Sequence, residues 1–325
     1  MHSSLIAWIL RAVPFGTIIM YGALGEILTE KSGNLNLGVP GIMYLGGFAG
    51  FASAYYYETL SASPNAFVCI VVALVCAVLA SMAGGLIYSF LTITLRANQN
   101  VTGLALTTFG MGVANFFGVF ILNGSSYAAA PLANKAFAAQ MPVLSKLGDA
   151  GKILFSYGFL AYAALLLAVV LHWFFTRTRV GLNLRAVGEN PATADAAGIN
   201  VVRNKYLATC IGAGISGLGG IYYVMDYIKG TWANDGSIEK LGWLAVALVI
   251  FTRWKPKNAI WGSYLFGLMY WLYFYIAGLT RSSQELFKML PYVVTIIVLI
   301  LVSMRKKRED QPPQSLGLAY FREER

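Results

Sequence analysis

The chain has 325 residues, of which 58% are apolar and only 12% are charged, and its formal net charge is +10. Soluble domains usually carry about 25% charged residues. Long uncharged runs such as residues 67–95 and 101–122 account for the deficit. A helix needs roughly 20 apolar residues to cross a bilayer. The composition therefore excludes a soluble globular protein and predicts an all-α, polytopic integral membrane protein.

Apolar segments in chain order predict about nine transmembrane helices, with an uncertainty of one. They cover residues 8–28, 35–57, 66–94, 101–122, 153–175, 205–227, 238–252, 258–279 and 287–304. The second span is predicted to be broken, because Gly38, Pro40 and Gly41 disfavour a continuous helix there. Residues 1–304 are predicted to form one membrane domain, followed by a basic tail at residues 305–325.

The basic residues predict the orientation of the chain. If the C-terminus is cytoplasmic, most Lys and Arg residues lie in cytoplasmic segments, including the run at residues 305–308 directly after the last span. Cytoplasmic segments of membrane proteins carry this excess, so we expect the N-terminus outside and the C-terminus inside. The same rule accounts for the positive net charge of the chain.

No basic patch alternates with stacking aromatic residues, so nucleic-acid binding is not expected.

Aromatic and charged residues near the predicted span ends suit the interface between lipid and water. Trp173 falls near an inner end, and a group of aromatic residues falls near an outer end. That group consists of Tyr222, Tyr223, Tyr227 and Trp232. Glu26, Asp226 and Arg11 also fall near span ends, where long side chains reach water at low cost. No carboxylate stands out at mid-membrane depth.

Motifs of soluble enzymes are absent or misplaced in this sequence. Residues 212–217 fit the dinucleotide pattern GxGxxG, but they lie in an apolar span rather than after a strand. Gly212, Ser216 and Gly220 recur every four residues, which is typical of close helix packing in membranes. There is no P-loop sequence, and the two histidines are isolated, so neither ATP binding nor a metal site is expected.

A short, sharply capped helix is predicted within the polar connection 176–204, which would be cytoplasmic. Asn190 suits the N-cap position, Pro191 the first helical position and Gly198 the left-handed position after the helix. Two interpretations remain open. The segment is either an ordinary surface helix or a rigid peg that fits a groove of another protein.

Two polar segments precede predicted spans and are candidates for a solute pathway. Residues 32–41 break the helical pattern before the second span, and residues 96–100 place three amide side chains before the fourth. Broken helices at membrane depth occur where backbone lines a cavity or pathway. The alternative is an interfacial loop with ordinary capping. The candidate pathway residues are Asn34, Asn36, Asn98, Gln99, Asn100, Thr102 and Asn115.

Three sequence blocks resemble the permease subunits of bacterial ABC importers for sugars, branched-chain amino acids and nucleosides. The blocks are residues 25–41, residues 96–105 and residues 188–199. Within that group, the chain is most similar to the permeases of nucleoside (purine-type) importers. One departure is Pro40, where the family usually has Glu before the glycine, so the solute is not carried over from that segment.

The resemblance implies that residues 1–304 form a permease domain that imports a nucleoside or simple sugar and is not itself an enzyme. ATP would bind a partner chain, and this chain would hold no cofactor. The implied partners are an ABC ATPase, a second related permease in a heterodimer, an extracytoplasmic solute-binding protein and membrane lipid, in the bacterial inner membrane. The residues that would couple to the ATPase are Gly188, Glu189, Asn190, Pro191, Ala196, Ala197, Gly198 and Ile199.

Two other function classes stay open at this point. The broken second span is also compatible with an autonomous secondary transporter or facilitator for a small polar solute. A membrane enzyme or a purely structural subunit has no supporting residues. The coupling segment 176–204 is the feature that favours a permease subunit.

Overall fold

The computed structural model describes residues 2–140, 148–276, 278–305 and 311–322. Within these residues, thirteen α-helices account for most of the chain. They are α1 (His2–Glu30), α2 (Val39–Leu60), α3 (Ala66–Ser89), α4 (Gln99–Leu122), α5 (Pro131–Phe137), α6 (Gly148–Phe155), α7 (Phe159–Arg177), α8 (Arg179–Glu189), α9 (Pro191–Ala196), α10 (Val201–Tyr222), α11 (Ser237–Phe251), α12 (Pro256–Trp271) and α13 (Arg281–Arg305). Helices α3 and α10 continue as π-helical turns over Phe90–Thr94 and Tyr223–Tyr227.

Each of the nine predicted spans overlaps one of these helices, and six segments in the described residues are long and apolar enough to cross a membrane. The six are Leu5–Glu30, Ala66–Thr94, Gln99–Leu122, Phe159–Arg177, Val201–Tyr227 and Arg281–Leu301. Helices α11 and α12 have 15 and 16 residues. At 1.5 Å per residue each is roughly 24 Å long or less, shorter than the hydrocarbon core. The structure thus supports a multi-pass membrane protein.

The second helix begins after the predicted break rather than containing it. Residues 31–38 are non-helical, and α2 then runs without interruption from Val39. Pro40 lies in the first turn, where its missing N–H costs no hydrogen bond. Gly41 allows α4 to approach, since a Cβ there would lie 2.4 Å from the carbonyl oxygen of Leu106. The predicted break within the second span is therefore not confirmed: the helix begins after Gly38, and Pro40 and Gly41 lie inside it.

Helix α10 forms the centre of the bundle and packs against α1, α2 and α3. Its small residues permit this contact. A Cβ at Gly212 would lie 2.5 Å from the carbonyl oxygen of Gly25, and one at Gly220 would lie 1.9 Å from that of Met43. The prediction that Gly212, Ser216 and Gly220 serve helix packing is confirmed.

Two clusters of short elements lie along the bundle. The first, here called the α8–α9 end, contains α8, α9, residues 31–38, the α3–α4 connection and the C-terminal segment 311–322, which are joined by hydrogen bonds. The second, here called the α5–α6 end, contains α5, α6 and a two-residue antiparallel pairing in which Ala128 faces Trp232. At this second end Glu58, near the end of α2, accepts hydrogen bonds from the backbone of Leu132 and Ala133 at the start of α5.

Candidate functional site

Helix α9 has the caps that the sequence predicts. The Asn190 side chain accepts a hydrogen bond from the Thr193 N–H at 3.0 Å, and Pro191 opens the helix. Gly198 follows the helix with a φ of +84°, a conformation that favours glycine. A Cβ at Gly198 would have nothing within 4 Å. The helix is therefore capped at both ends, and the space beside Gly198, just after it, is open.

The C-terminal segment holds α8 and α9 in place. Both the backbone N–H and the hydroxyl of Ser315 donate to the carbonyl oxygen of Gly188, at 3.0 and 2.6 Å. The Tyr320 hydroxyl donates to Asp195 Oδ2 at 2.9 Å, and Arg322 Nε lies 3.2 Å from the same oxygen. The described part of the predicted tail is thus a folded strap. The remainder of the basic run, residues 306–308, lies outside the described residues.

The same strap reaches the other two sequence blocks that carry the resemblance. The Gly317 N–H donates to the carbonyl oxygen of Gly33 at 3.2 Å, and Gln99 Nε2 donates to that of Leu318 at 3.4 Å. Gln99 Oε1 in turn accepts from the Leu35 N–H at 2.7 Å. Residues 25–41, 96–105 and 188–199 are therefore connected through one short segment. Sequence reasoning missed this role, because no local pattern shows what residues 311–322 contact.

Three of the predicted pathway residues meet at this end of the bundle. Asn34 Nδ2 donates to Thr209 Oγ1 on α10 at 3.0 Å, while Asn34 Oδ1 is buried without a partner in the described part of the chain. The Asn36 N–H donates to Glu26 Oε1 at 3.0 Å, and its side chain accepts from Gly38. Together with Gln99 they form a buried polar layer beneath the strap.

The remaining pathway candidates do not share one site. Asn98 caps α4 by accepting from Val101, which supports the alternative of ordinary capping for that residue, and Asn100 is exposed. Thr102 is buried and donates to the carbonyl oxygen of Asn98 at 2.8 Å. Asn115 lies farther along α4, where its carbonyl oxygen accepts from Asn234 at 3.4 Å.

Charged residues near the strap are more buried than the sequence suggests. Glu26 is only 1% exposed, so the prediction that it reaches water at a span end is wrong. Glu30, one turn later, is also buried and accepts a hydrogen bond from the Trp254 indole. Burial, followed by the neighbouring Arg185 charge, lowers the pKa of Lys31 to about 8. The sequence indicated the polar segments but not the burial of these charged residues beside them.

An aromatic cavity of about 600 Å³ lies towards the α5–α6 end, between α1 and the segments from α10 to α13. Phe15 stacks on Tyr270 with ring centroids 4.3 Å apart, and Tyr223 stacks on Tyr227 at 5.7 Å. The wall also holds an ion pair, Lys288 with Glu285, at 2.7 Å. Aromatic faces beside a charged pair suit a flat or partly apolar solute with polar groups at its edge.

The aromatic residues predicted to lie at the interface between lipid and water have different environments in the structure. Trp173 is 58% exposed, as an interfacial residue would be. Trp232 and Tyr222 are instead fully buried, so the prediction that they belong to an interfacial belt is wrong. Trp232 packs against Tyr44 and Phe51 inside the bundle. The close spacing of aromatic residues along residues 222–232 was the sequence signal for this packed aromatic layer.

Neither end of the bundle presents an evident centre for metal chemistry. Among the described residues, no group of three or more His, Cys, Asp or Glu side chains is placed to hold a metal ion. The geometry instead offers a capped helix for contact with a partner at one end and a solute-sized cavity near the other.

Comparisons with known proteins identify the family of the chain. A family profile described as branched-chain amino acid transport system / permease component matches residues 8–299. A putative glucose ABC transporter permease of Haloferax volcanii is 30% identical over 98% of this chain and 99% of its own length. A nucleoside ABC transporter permease of Lactococcus lactis is 30% identical over 88% of this chain and 89% of its own.

A guanosine ABC transporter permease of Bacillus subtilis is 29% identical over 85% of this chain and 86% of its own length. No solved structure shows a significant match. The family profile covers most of the chain, and the two 30% relatives align almost end to end. The predicted resemblance is confirmed, and the chain belongs to the branched-chain amino acid transport system permease family, the membrane-spanning components of ABC transporters.

Proposed function

We propose that this permease imports a nucleoside or a simple sugar, driven by a separate ABC ATPase that docks on α9. The observation that carries the proposal is the capped helix α9, which the strap holds through Gly188 and Asp195 while the space beside Gly198 is open to a partner. Movement of a rigid, well-anchored peg is transmitted to whatever it is bonded to. Here α9 is bonded to the strap through Asp195, and the strap in turn accepts a hydrogen bond from Gln99 of the polar layer.

We further propose nine transmembrane helices, with the N-terminus outside and the α8–α9 end in the cytoplasm of a bacterial inner membrane. Nine alternating spans put residues 31–38, 95–98, 178–200, 252–255 and the C-terminus on one side. Hydrogen bonds between these segments, such as Gly317 to Gly33, support that count. The short helices α11 and α12 are accommodated if the bilayer adapts locally to their length.

The aromatic cavity is our candidate for the solute site. A nucleobase stacks on tyrosine or tryptophan faces, and the apolar face of a sugar does the same. Glu285 and Lys288 would hydrogen-bond the polar edge of the solute. The names of the relatives, which include glucose, nucleoside and guanosine permeases, support these two classes of solute.

The remaining partners follow from the family. A second related permease would complete the translocation pathway in a heterodimer, and an extracytoplasmic solute-binding protein would deliver the solute at the α5–α6 end. ATP would bind only the ATPase, and the residues of this chain that touch that subunit would be residues 188–191 and 196–199.

Reconstitution distinguishes this proposal from an autonomous transporter. The purified chain is placed in liposomes alone, or together with the proteins that co-purify with it, and uptake of radiolabelled guanosine and glucose is measured with and without ATP. We expect uptake only from the complex and only with ATP. Uptake by the chain alone, independent of ATP, would contradict the proposal and favour a facilitator.

A further inference from the structure

A second cavity, of about 810 Å³, lies at the α8–α9 end beside the strap. Its walls are the π-helical end of α3, the first turns of α10, the end of α9 and the last described residues of the chain. Side chains of two kinds line it. The basic ones are Arg96, Arg203 and Arg322, and the apolar ones include Ile93, Val202 and Leu207.

The charge of the cavity favours an anion. Among the described lining residues, three are arginines and one, Asp195, is a carboxylate. Asp195 accepts from the Tyr320 hydroxyl and lies 3.2 Å from Arg322 Nε, so these two charges offset each other and the net positive charge of the lining comes from Arg96 and Arg203. The Arg96 guanidinium lies 4.5 Å from the centre of the Phe321 ring. Arginine binds phosphate oxygens through paired N–H groups more specifically than lysine does.

The apolar wall of the cavity continues along two candidate membrane spans. Leu207 in the cavity wall and Ile211 one turn later are both exposed on the same face of α10, within the span Val201–Tyr227. Phe90 and Leu95 are exposed at the adjoining end of the span Ala66–Thr94. A groove that is basic at the helix ends and apolar along the helices matches a molecule with an anionic head and hydrocarbon chains.

We propose that this cavity binds an anionic phospholipid, with its phosphate at Arg96 and Arg203 and its acyl chains along α3 and α10. Basic pockets between helix ends on the cytoplasmic side of membranes bind such headgroups. The proposal requires that the α8–α9 end faces the cytoplasmic leaflet, but it does not require an ATPase. Because Asp195 and Arg322 belong to both the cavity and the strap, a bound headgroup would also help to position α9.

Lipid retention tests the proposal. The chain is purified from nanodiscs of equal parts phosphatidylglycerol and phosphatidylcholine, and retained lipid is counted by native mass spectrometry. We expect selective retention of phosphatidylglycerol and a loss of about tenfold in the variant Arg96→Gln/Arg203→Gln, since phosphate contacts by arginine are strong. The matched control is Arg177→Gln/Arg179→Gln, which removes the same charge from exposed positions near this end that do not line the cavity.

Equal retention by the two variants, or no preference between the two lipids, would overturn the proposal. A free phosphate is distinguished by adding inorganic phosphate during purification. Displacement of the retained lipid at millimolar phosphate would assign the site to a soluble anion and overturn the lipid assignment.

A second measurement does not depend on the folding of an arginine variant. A photoreactive amino acid is introduced at Leu207, an exposed position of α10 in the cavity wall, and irradiated in native membranes. We expect a phospholipid adduct. An adduct to another protein chain would instead identify the groove as a protein interface and contradict the proposal. Either outcome leaves the test of ATP-driven uptake unaffected.

Discussion

The two ends of the bundle differ in how their polar groups are used. At the α8–α9 end, hydrogen bonds join segments that are far apart in sequence, for example Ser315 to Gly188 and Gln99 to Leu318. At the α5–α6 end, a cavity of about 600 Å³ remains between aromatic side chains. A connected polar network moves as a unit, whereas an open aromatic cavity accommodates a solute. This difference is what the proposed function requires, with the first end coupled to an ATPase and the second holding the transported solute.

The largest expected effect comes from Gly198→Val at the end of α9. Valine at a φ of +84° costs about 1–2 kcal/mol, and the side chain would project into the open space where the proposed ATPase would dock. We expect ATP-driven uptake to be lost while membrane insertion is retained. Uptake assays in cells, normalised to the amount of protein in the membrane, measure this.

The chain offers a closely matched control in Gly124, after α4. Its φ is +82°, and a Cβ there would also have nothing within 4 Å. Gly124→Val therefore carries the same backbone strain away from α9, and we expect near-normal uptake. Equal loss in both variants would show that strain, rather than docking, explains the effect at Gly198.

The next largest effect is expected at the aromatic cavity. Tyr270→Ala removes a ring stacked on Phe15, and one such stacking contact is worth about 1–3 kcal/mol when a base binds. We expect the KM for uptake to rise about tenfold or more without loss of the ATPase from the complex. Tyr127→Ala, at an exposed position outside the cavity, is the control. An unchanged KM for guanosine and for glucose would place the solute elsewhere.

A smaller effect is expected on stability at the buried polar layer. Trp254→Phe removes the indole that donates to Glu30 and leaves a buried carboxylate oxygen without that donor. We expect a loss of about 1–3 kcal/mol in the free energy of unfolding. Thermal unfolding in detergent measures it. Trp261→Phe, at a residue half exposed on the next helix, controls for lost aromatic area and should have less effect.

The smallest effect is expected for one hydrogen bond of the strap. Tyr320→Phe removes the hydroxyl that donates to Asp195 at 2.9 Å, worth about 0.5–1.5 kcal/mol. In a double-mutant cycle with Asp195→Asn, we expect a coupling energy of that size between the two positions. Coupling between ATP hydrolysis and uptake should weaken slightly. Purely additive effects would mean that the strap does not hold α9 through this contact.

The two ends also differ in how much of them could be predicted from the sequence. Helix α9 was predictable, because its caps at Asn190 and Gly198 are local and specific to residue type. The strap was not, since Ser315 and Leu318 bond to residues more than a hundred positions away. Glu26 illustrates the same limit. Its position near a span end suggests water, but contact with Asn36 places it inside the protein.

For the aromatic cavity, the helices could be predicted from the sequence but the cavity between them could not. Hydropathy correctly predicted the helices that form it, but composition does not reveal which faces of α1, α12 and α13 meet. The local sequence around a tyrosine does not distinguish a position at the membrane interface from one in a cavity wall. Tyr223 and Trp232 were therefore assigned to one belt, whereas the structure separates a cavity wall from a packed interior.

Crosslinking from α9 tests the central claim most directly. A photoreactive amino acid is placed at Ala197, an exposed residue at the end of α9, and at the exposed residue Tyr127 as a control. The membranes are irradiated, and the adducts are purified through this chain and identified. We predict an ABC ATPase attached at Ala197 and none at Tyr127. Adducts at Ala197 that contain no ATPase, from membranes active in ATP-driven uptake, would contradict the account.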